Sequence, residues 1–330
     1  DALSSVAYAT EASLGVLILA GSSALKQSLP ITLAIIALTV IVVLSYRQAI
    51  SAYPNGGGSY VVARENLGRN VSLVAAAALL IDYTLTAAVS LMAGTQALSS
   101  LVPSLLPHEL SLSLLLLALV GWANLRGLRE AGRVFAIPTY VFVGMILLLT
   151  LVGVSDLSFQ HGWTPEPPPL EAALQPLGLF LILRAFSSGC SAMTGIEAIS
   201  TGVQVFREPA ARNARVTLLV MGGLLSAMLL AVTGLGFMYG IAPNPQVTVL
   251  AQIGIRVFGS GSILFWLLQL STLLILVLAA NTAFAGFPLR AAMLAEDRCL
   301  PPQMRWLGDR LVYQNGIGVL LAVSALIIWI

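Results

Sequence analysis

Apolar runs of roughly 20 residues recur along the whole chain, and they limit its possible folds more than any other feature. A helix of that length crosses the hydrocarbon core of a bilayer, which is about 30 Å thick. Blocks such as Leu114–Val120 are continuously apolar, whereas strands facing lipid alternate between apolar and polar residues. With 58% hydrophobic and 9% charged residues, the chain is too apolar for a soluble globular domain. The sequence therefore predicts an all-α integral membrane protein.

The hydropathy pattern predicts about nine membrane spans, of which the last is incomplete. We expect them near residues 1–22, 31–50, 71–102, 111–124, 134–154, 173–203, 214–240, 262–284 and 315–330. The glycines before Ser59 predict a break followed by a short interfacial helix, Ser59–Leu67. A loop near 155–172 holds four prolines, so we expect it to be extended and without helix. A segment near 246–258 is expected to lie flat on the outer surface. The chain looks truncated at both ends.

The distribution of basic residues predicts the orientation of these spans. Of the 16 basic residues, all except Lys26, Arg184 and Arg256 fall in loops on one side of the predicted map. Basic loops mark the cytoplasmic side. We therefore expect a multi-pass protein of the plasma (inner) membrane whose N-terminal end faces the cytoplasm.

Ionisable groups inside a bilayer cost several kcal/mol unless they face protein, water or a partner, so the few within spans are candidates for function. They are Asp1, Glu11, Asp82, Arg184 and Glu197. Considered by itself, Asp1 is interpreted as a solvated residue at the cytoplasmic end of the first span. We interpret Asp82 and Arg184 as structural. A hydroxyl group can bond the Asp82 carboxylate, and the long side chain of Arg184 can extend its charge to the membrane interface.

The first and sixth predicted spans share small and polar residues at mid-length. These stretches are SSVAYATE at 4–11 and SSGCSAMTGIE at 187–197. Matched interruptions in two five-span halves indicate discontinuous helices around a midplane binding site. The alternative is that the serines and threonines bond their own backbone and the small residues serve close helix packing. For the matched pair, the two interpretations weigh about equally.

The third span adds hydroxyl groups at Tyr83, Thr86 and Ser90, which recur with helical spacing on one face. Together with Tyr8 and Thr194, they would surround a cavity with oxygen atoms. A partly dehydrated alkali cation requires that chemistry. The alternative is that these hydroxyls only form hydrogen bonds between helices.

Other classes of function fit the sequence less well. No basic run could form a nucleic-acid interface, and neither a nucleophile–base pair nor a P-loop points to an enzyme. Cys190 and Cys299 lie too far apart to suggest a disulfide framework or a metal site. A channel would need neither paired helix breaks nor a coupling acid. No cofactor and no nucleic-acid partner is expected.

Five segments of the chain resemble permeases of the APC superfamily, in particular the Kim/KUP type of potassium–proton symporter. The segments are DALSSVAYATE, PNGGGSYVVARENLG, MTGIEAIS, NTAFAGFPLRAAMLAED and GDRLVYQNGI. The spacing of Asp1 and Tyr8 is also similar to the GDxGTSPLY signature of KUP transporters. The resemblance covers nearly the whole chain.

This resemblance implies a leucine-transporter-like 5+5 inverted repeat with discontinuous first and sixth helices, truncated here after about nine spans. Residues 1–154 would form the first repeat, 155–172 an outer loop and 173–330 the incomplete second repeat. It further implies that K⁺ binds at Asp1, Tyr8, Tyr83, Thr86, Ser90 and Thr194, and that Glu197 takes part in proton coupling. Relatives also suggest a homodimer and a cytoplasmic regulatory domain in the full-length protein. Where they tend to read FADFPRL, this chain reads FAGFPLR, which puts the adjacent cytoplasmic loop in question.

Two substrate classes are compatible with such a scaffold. Permeases for amino acids usually break the first span with a glycine-rich turn, which lets backbone N–H groups approach a carboxylate. Residues 1–11 contain no glycine, and an aspartate near the site would repel a carboxylate while favouring a cation. The sequence thus favours proton-coupled potassium uptake over transport of an amino acid or a polyamine.

Overall fold

A computed structural model describes residues 2–54, 56, 58–127, 132–308 and 312–330. Within these ranges the fold is helical, with no β-strand. The helices are α1 (Val6–Leu17), α2 (Ser28–Ala52), α3 (Ser59–Leu67), α4 (Arg69–Leu101), α5 (Glu109–Leu125), α6 (Gly132–Asp156), α7 (Leu179–Gly189), α8 (Glu197–Thr201), α9 (Ala210–Met238), α10 (Val249–Phe258), α11 (Ile263–Glu296) and α12 (Gln314–Trp329). The predicted all-α class is confirmed, as is the short helix at Ser59–Leu67. The segment near 246–258 contains α10, and its flat position on the outer surface stays a prediction.

Six helices of the described ranges are long and apolar enough to cross a membrane. They are Ser22–Ala52, Arg69–Leu101, Pro103–Leu125, Ala136–Phe159, Ala210–Met238 and Ile263–Glu296. Four shorter apolar helices accompany them: Val6–Ala20, Leu179–Met193, Val249–Phe258 and Gln314–Trp329. Exposed leucines, isoleucines and valines along the long helices, such as Ile41 and Leu151, form a surface suited to lipid.

Two predicted boundaries were wrong. The eighth predicted span ended at residue 284, but α11 continues to Glu296 and includes Pro288. A proline is tolerated in a membrane helix when neighbouring groups compensate for the lost backbone bond, and here Gly316 of α12 packs against Pro288. Gly286 and Arg290 therefore lie on a helix and not in a loop. The loop expected to begin near 155 begins later, because α6 reaches Asp156 and Leu157–His161 winds on as a π-helical turn.

The bundle has two packed regions. One large apolar core joins α1, α2, α6, α7, α9 and α10, and a second joins α4, α5 and α12, while α11 contributes to both. The α4 and α11 helices run antiparallel along each other, because Gly94 lies against Leu273 and Tyr83 lies against Gly286. The α1 and α7 helices are adjacent, since the Ser13 hydroxyl donates to the carbonyl oxygen of Ala185 at 3.0 Å. We call the end that carries Arg47, Arg64 and Arg69 the basic end, and the opposite end the far end.

The contact between α11 and α12 leads to a prediction about stability. A Cβ atom at Gly316 would lie 2.8 Å from Cα of Pro288, whereas Gly318 has nothing within 4 Å of such an atom. Backbone cannot move aside cheaply, so Gly316→Ala should lower the free energy of unfolding by about 1–3 kcal/mol. Gly318→Ala, two residues further along the same helix, should be neutral or slightly stabilising. Thermal melts of the two purified variants in detergent measure the difference, and equal melting temperatures would contradict this packing.

Candidate functional site

The sixth predicted span is interrupted where the sequence indicated. The α7 helix ends at Gly189, a 3-10 turn covers Cys190–Met193, and helix resumes at Glu197. Thr194 has extended backbone angles, and Gly195 has a φ of +80°, which favours glycine. The backbone N–H groups of Thr194 and Ile196 bond to the carbonyl oxygens of Ser191 and Met193 in tight turns. The regular helical pattern is therefore broken at this level, as in a discontinuous binding helix.

The first span differs from its prediction. Residues 2–5 form turns, but α1 begins at Val6, so Tyr8 is helical and not part of a break. The carbonyl oxygen of Ser5 accepts hydrogen bonds from the backbone N–H groups of Tyr8 and Ala9 and thereby starts the helix. The alanines on either side of Tyr8 favour helix, which explains the early start. Asp1 lies outside the described residues.

A group of hydroxyls joins the start of α1 to the interruption after α7. The Tyr8 and Thr194 hydroxyl oxygens are 3.3 Å apart, and those of Ser5 and Thr194 are 3.1 Å apart. Tyr8 also donates to Ser5 at 3.4 Å. Ser5 and Tyr8 are buried. Three oxygen atoms from two distant parts of the chain thus lie close together at one point in the bundle.

The α4 helix contributes to this region with two of the three predicted hydroxyls. Ser90 is buried and neighbours the Tyr8 phenol, and Thr86 is buried one turn earlier. Neither hydroxyl oxygen has a hydrogen-bond partner within the described ranges. A buried hydroxyl without a partner costs about 1–3 kcal/mol, so contact with a bound ligand would be favourable here. Tyr83 instead packs against Gly286 and Arg290 of α11.

Next to the hydroxyl group lies a cavity of about 470 Å³. Its walls include Thr194 and two acidic residues, Asp82 of α4 and Glu197 of α8. The Glu197 Oε2 atom accepts hydrogen bonds from Ser59 at 2.7 Å and from Tyr46 at 3.2 Å, while its Oε1 atom is buried without a partner. Two carboxylates on one cavity create a negative potential that favours a cation.

Three residues of this cavity that carry side-chain oxygen atoms were not among the predicted site residues. Asp82 was read as structural, although an acid within a span was itself a usable signal. Ser59 and Tyr46 hold Glu197 from positions 138 and 151 residues away in sequence. No local pattern links such distant positions. The described residues include no group of three or more His, Cys, Asp and Glu that could hold a metal ion.

At the basic end, α3 is also bound to the end of α11. The Tyr60 hydroxyl donates to Asp297 Oδ2 at 2.5 Å, and Arg64 forms an ion pair with the same carboxylate. These contacts hold the pKa of Asp297 below its ordinary value, chiefly through the hydrogen bond from Tyr60 and then through Arg64. We call Tyr60, Arg64 and Asp297 the α3–α11 latch.

The lowered pKa of Asp297 predicts how the latch responds to pH. A carboxyl whose pKa is depressed on folding stabilises the fold above its unfolded pKa, near 3.8, and loses that contribution as pH falls toward the folded value. Between pH 5 and pH 8 the contribution is therefore constant. Asp297→Asn should lower the melting temperature by the same amount at pH 5 and at pH 8. A difference that shrinks by half or more at pH 5 would contradict the lowered pKa.

Comparisons with known proteins agree with this architecture. A family model described as amino acid permease matches residues 1–330. The potassium transporter KimA of Bacillus subtilis (strain 168) is 44% identical over 320 residues. That match covers 96% of this chain and 52% of KimA, so the chain spans about half the length of this curated relative.

Proposed function

We propose that this chain, which belongs to the amino acid permease family, is the transport core of a secondary transporter that takes up potassium together with protons. The observation that carries the proposal is the group of hydroxyls at Ser5, Tyr8 and Thr194, beside a cavity with two carboxylates. The similarity to a protein named as a potassium transporter supports the choice of cargo.

The proposed ion site uses neutral oxygens for geometry and carboxylates for charge. Tyr8, Ser90 and Thr194 offer hydroxyl oxygens that replace water around a dehydrating cation. The unpartnered hydroxyl of Thr86 is available to the same ion. Asp82 supplies the negative charge that offsets lost hydration. We keep Asp1 and Tyr83 in the proposed site only because of the family resemblance.

Glu197 is proposed as the proton-coupling group. As a carboxylate it accepts from Ser59 and Tyr46 and adds negative charge to the cavity. As a neutral acid it would lose that charge and become a donor through one oxygen. Its buried Oε1 atom has no partner within the described ranges, so it is available for the proton. Binding of the proton and binding of the cation are thereby linked through one group.

The proposal includes the finer architecture. Residues 1–154 and 173–330 form two inverted repeats, the second incomplete, with an outer loop between them. The basic end faces the cytoplasm, because arginines concentrate there, and the protein resides in the plasma membrane. The full-length protein forms a homodimer and carries a cytoplasmic regulatory domain.

A second candidate is transport of an organic amine or an amino acid. The description of the matching family favours it, and a cavity of about 470 Å³ with two carboxylates has room for a polyamine. An α-amino acid fits less well, since its carboxylate would face Asp82 and Glu197.

Uptake by the full-length protein in cells without their own potassium uptake separates these candidates. We expect growth and potassium accumulation at limiting external potassium, inhibited by rubidium and unaffected by alanine, arginine or putrescine. Uptake of labelled alanine, arginine or putrescine that potassium does not affect would support the second candidate. Absence of potassium uptake by a protein present in the membrane would overturn the first.

A further inference from the structure

A separate cavity of about 360 Å³ lies at the far end of the bundle. None of its lining residues belongs to the cavity of Asp82 and Glu197. Its walls are mainly apolar and come from Leu14 of α1, Leu25 before α2, Phe237 of α9 and Ile241 after it. The proline-rich loop closes one side with Pro165, Pro167 and Pro168.

The cavity has a preformed frame. The loop is held over α9 by a hydrogen bond from the Glu166 N–H to the Met238 carbonyl oxygen at 2.9 Å. The Glu171 N–H donates to the Ser22 hydroxyl at 2.7 Å, which fixes the loop near the start of α2. Thr233, on the cavity wall, lies 3.2 Å from the hydroxyls of both Thr10 and Thr32. These hydroxyl contacts connect the parts of α1, α2 and α9 beside the cavity.

The charges around this cavity are not balanced. Two charged residues line it, Lys26 and Glu166. Glu166 is neutralised by Arg256, whose guanidinium lies 2.5 Å from its carboxylate. Lys26 is exposed and has no ion pair within the described ranges. Among the Lys and Arg residues of the chain, all the others are arginines. The cavity thus combines an apolar interior with one uncompensated positive charge at its rim.

We propose that this cavity binds a small monocarboxylate with an apolar body. The apolar part would enter between Leu14, Leu25 and Phe237, and the carboxylate would face Lys26. A volume near 360 Å³ holds on the order of a dozen non-hydrogen atoms, at about 30 Å³ for each water-sized group. A carboxylate with about ten carbon atoms matches that size, whereas a phospholipid with two acyl chains is too large.

Binding of 4-phenylbutyrate to the purified full-length protein tests the proposal without any transport measurement. This acid has the expected size and is soluble without forming micelles. We expect saturable binding to the wild type, measured with radiolabelled ligand. The alcohol 4-phenylbutanol should compete about three to five times less well, since an exposed ion pair contributes at most about that factor. 4-Phenylbutylamine should compete least.

Variants of Lys26 assign the binding to this cavity. Lys26→Gln should weaken binding of the acid about three- to fivefold and leave the affinity of the alcohol unchanged, while Lys26→Arg should keep the wild-type affinity. Arg184→Gln removes a positive charge from α7 outside the cavity and serves as the control. The proposal is overturned if the wild type does not bind the acid, if acid and alcohol bind equally, or if Lys26→Gln and Arg184→Gln behave alike. These outcomes are independent of potassium uptake, so failure here is distinguishable from failure of the proposed function.

Discussion

Glu197→Gln should abolish pH-driven accumulation of potassium while preserving potassium binding. Glutamine keeps the size of glutamate and can still bond Ser59 and Tyr46, but it can neither release nor accept the proton. With one proton coupled to each cation, one pH unit drives about tenfold accumulation, because it is worth about 1.4 kcal/mol. The variant should lose that whole factor. Proteoliposomes with an imposed pH gradient, and with the membrane potential collapsed by a permeant anion, measure it.

Glu65→Gln is the matched control for this experiment. Glu65 is an exposed acid on α3, a few residues from Ser59, and forms no ion pair within the described ranges. Its substitution should leave accumulation unchanged. If Glu197→Gln accumulates potassium like the wild type over the same range of pH, Glu197 is not the coupling group. Loss of both binding and accumulation would instead assign Glu197 to the ion site.

Asp82→Asn should raise the KM for potassium uptake by about tenfold or more, which corresponds to at least about 1.4 kcal/mol of lost binding. The reason is charge: the carboxylate on the cavity offsets the hydration that the cation gives up, and an amide cannot. Ser90→Ala removes a neutral oxygen and should have a smaller effect. Rubidium uptake at graded external concentrations measures KM for both variants.

Asp82→Glu keeps the negative charge and should restore much of the affinity. An equal KM in wild type and Asp82→Asn would remove this carboxylate from the proposed site. The corresponding expectation for Asp1, that Asp1→Asn impairs uptake more than Ser90→Ala, follows from the resemblance and is measured in the same assay.

The six long apolar helices could be predicted from sequence because their hydropathy signal is long and strong, whereas the count of nine spans stays a prediction. The predicted bounds of the short helix α3 were exact, since glycines and a following apolar–polar pattern mark its start. The end of α11 was missed because Pro288 and Arg290 resemble loop residues locally. They lie in a helix because α4 and α12 pack along it, with Gly316 seated on Pro288. Tertiary packing overrides the local preference there.

The candidate site could be predicted only where polarity itself was the signal. Thr194 lies in an interruption that the sequence marks with small and polar residues, and Glu197 begins the helix directly after it. The partners of Glu197 could not be predicted, because Tyr46 and Ser59 come from other parts of the chain. The helical spacing of Tyr83 and Ser90 also gave no warning that Tyr83 faces α11. Spacing defines a face of one helix, and neighbouring helices decide what that face contacts.

The α3 helix has neighbouring residues bonded to two different parts of the bundle. Ser59 donates to Glu197, and Tyr60 donates to Asp297 at the end of α11. Because the two positions are consecutive in a helix of nine residues, displacement of the whole of α3 away from the bundle would break both bonds. Separation of Tyr60 from Asp297 and release of Glu197, the proposed coupling group, from Ser59 would then occur together. In the proposed transport cycle, this arrangement would oppose slippage, in which the pathway opens to the ion while the Glu197 carboxylate keeps its hydrogen bonds to Ser59 and Tyr46.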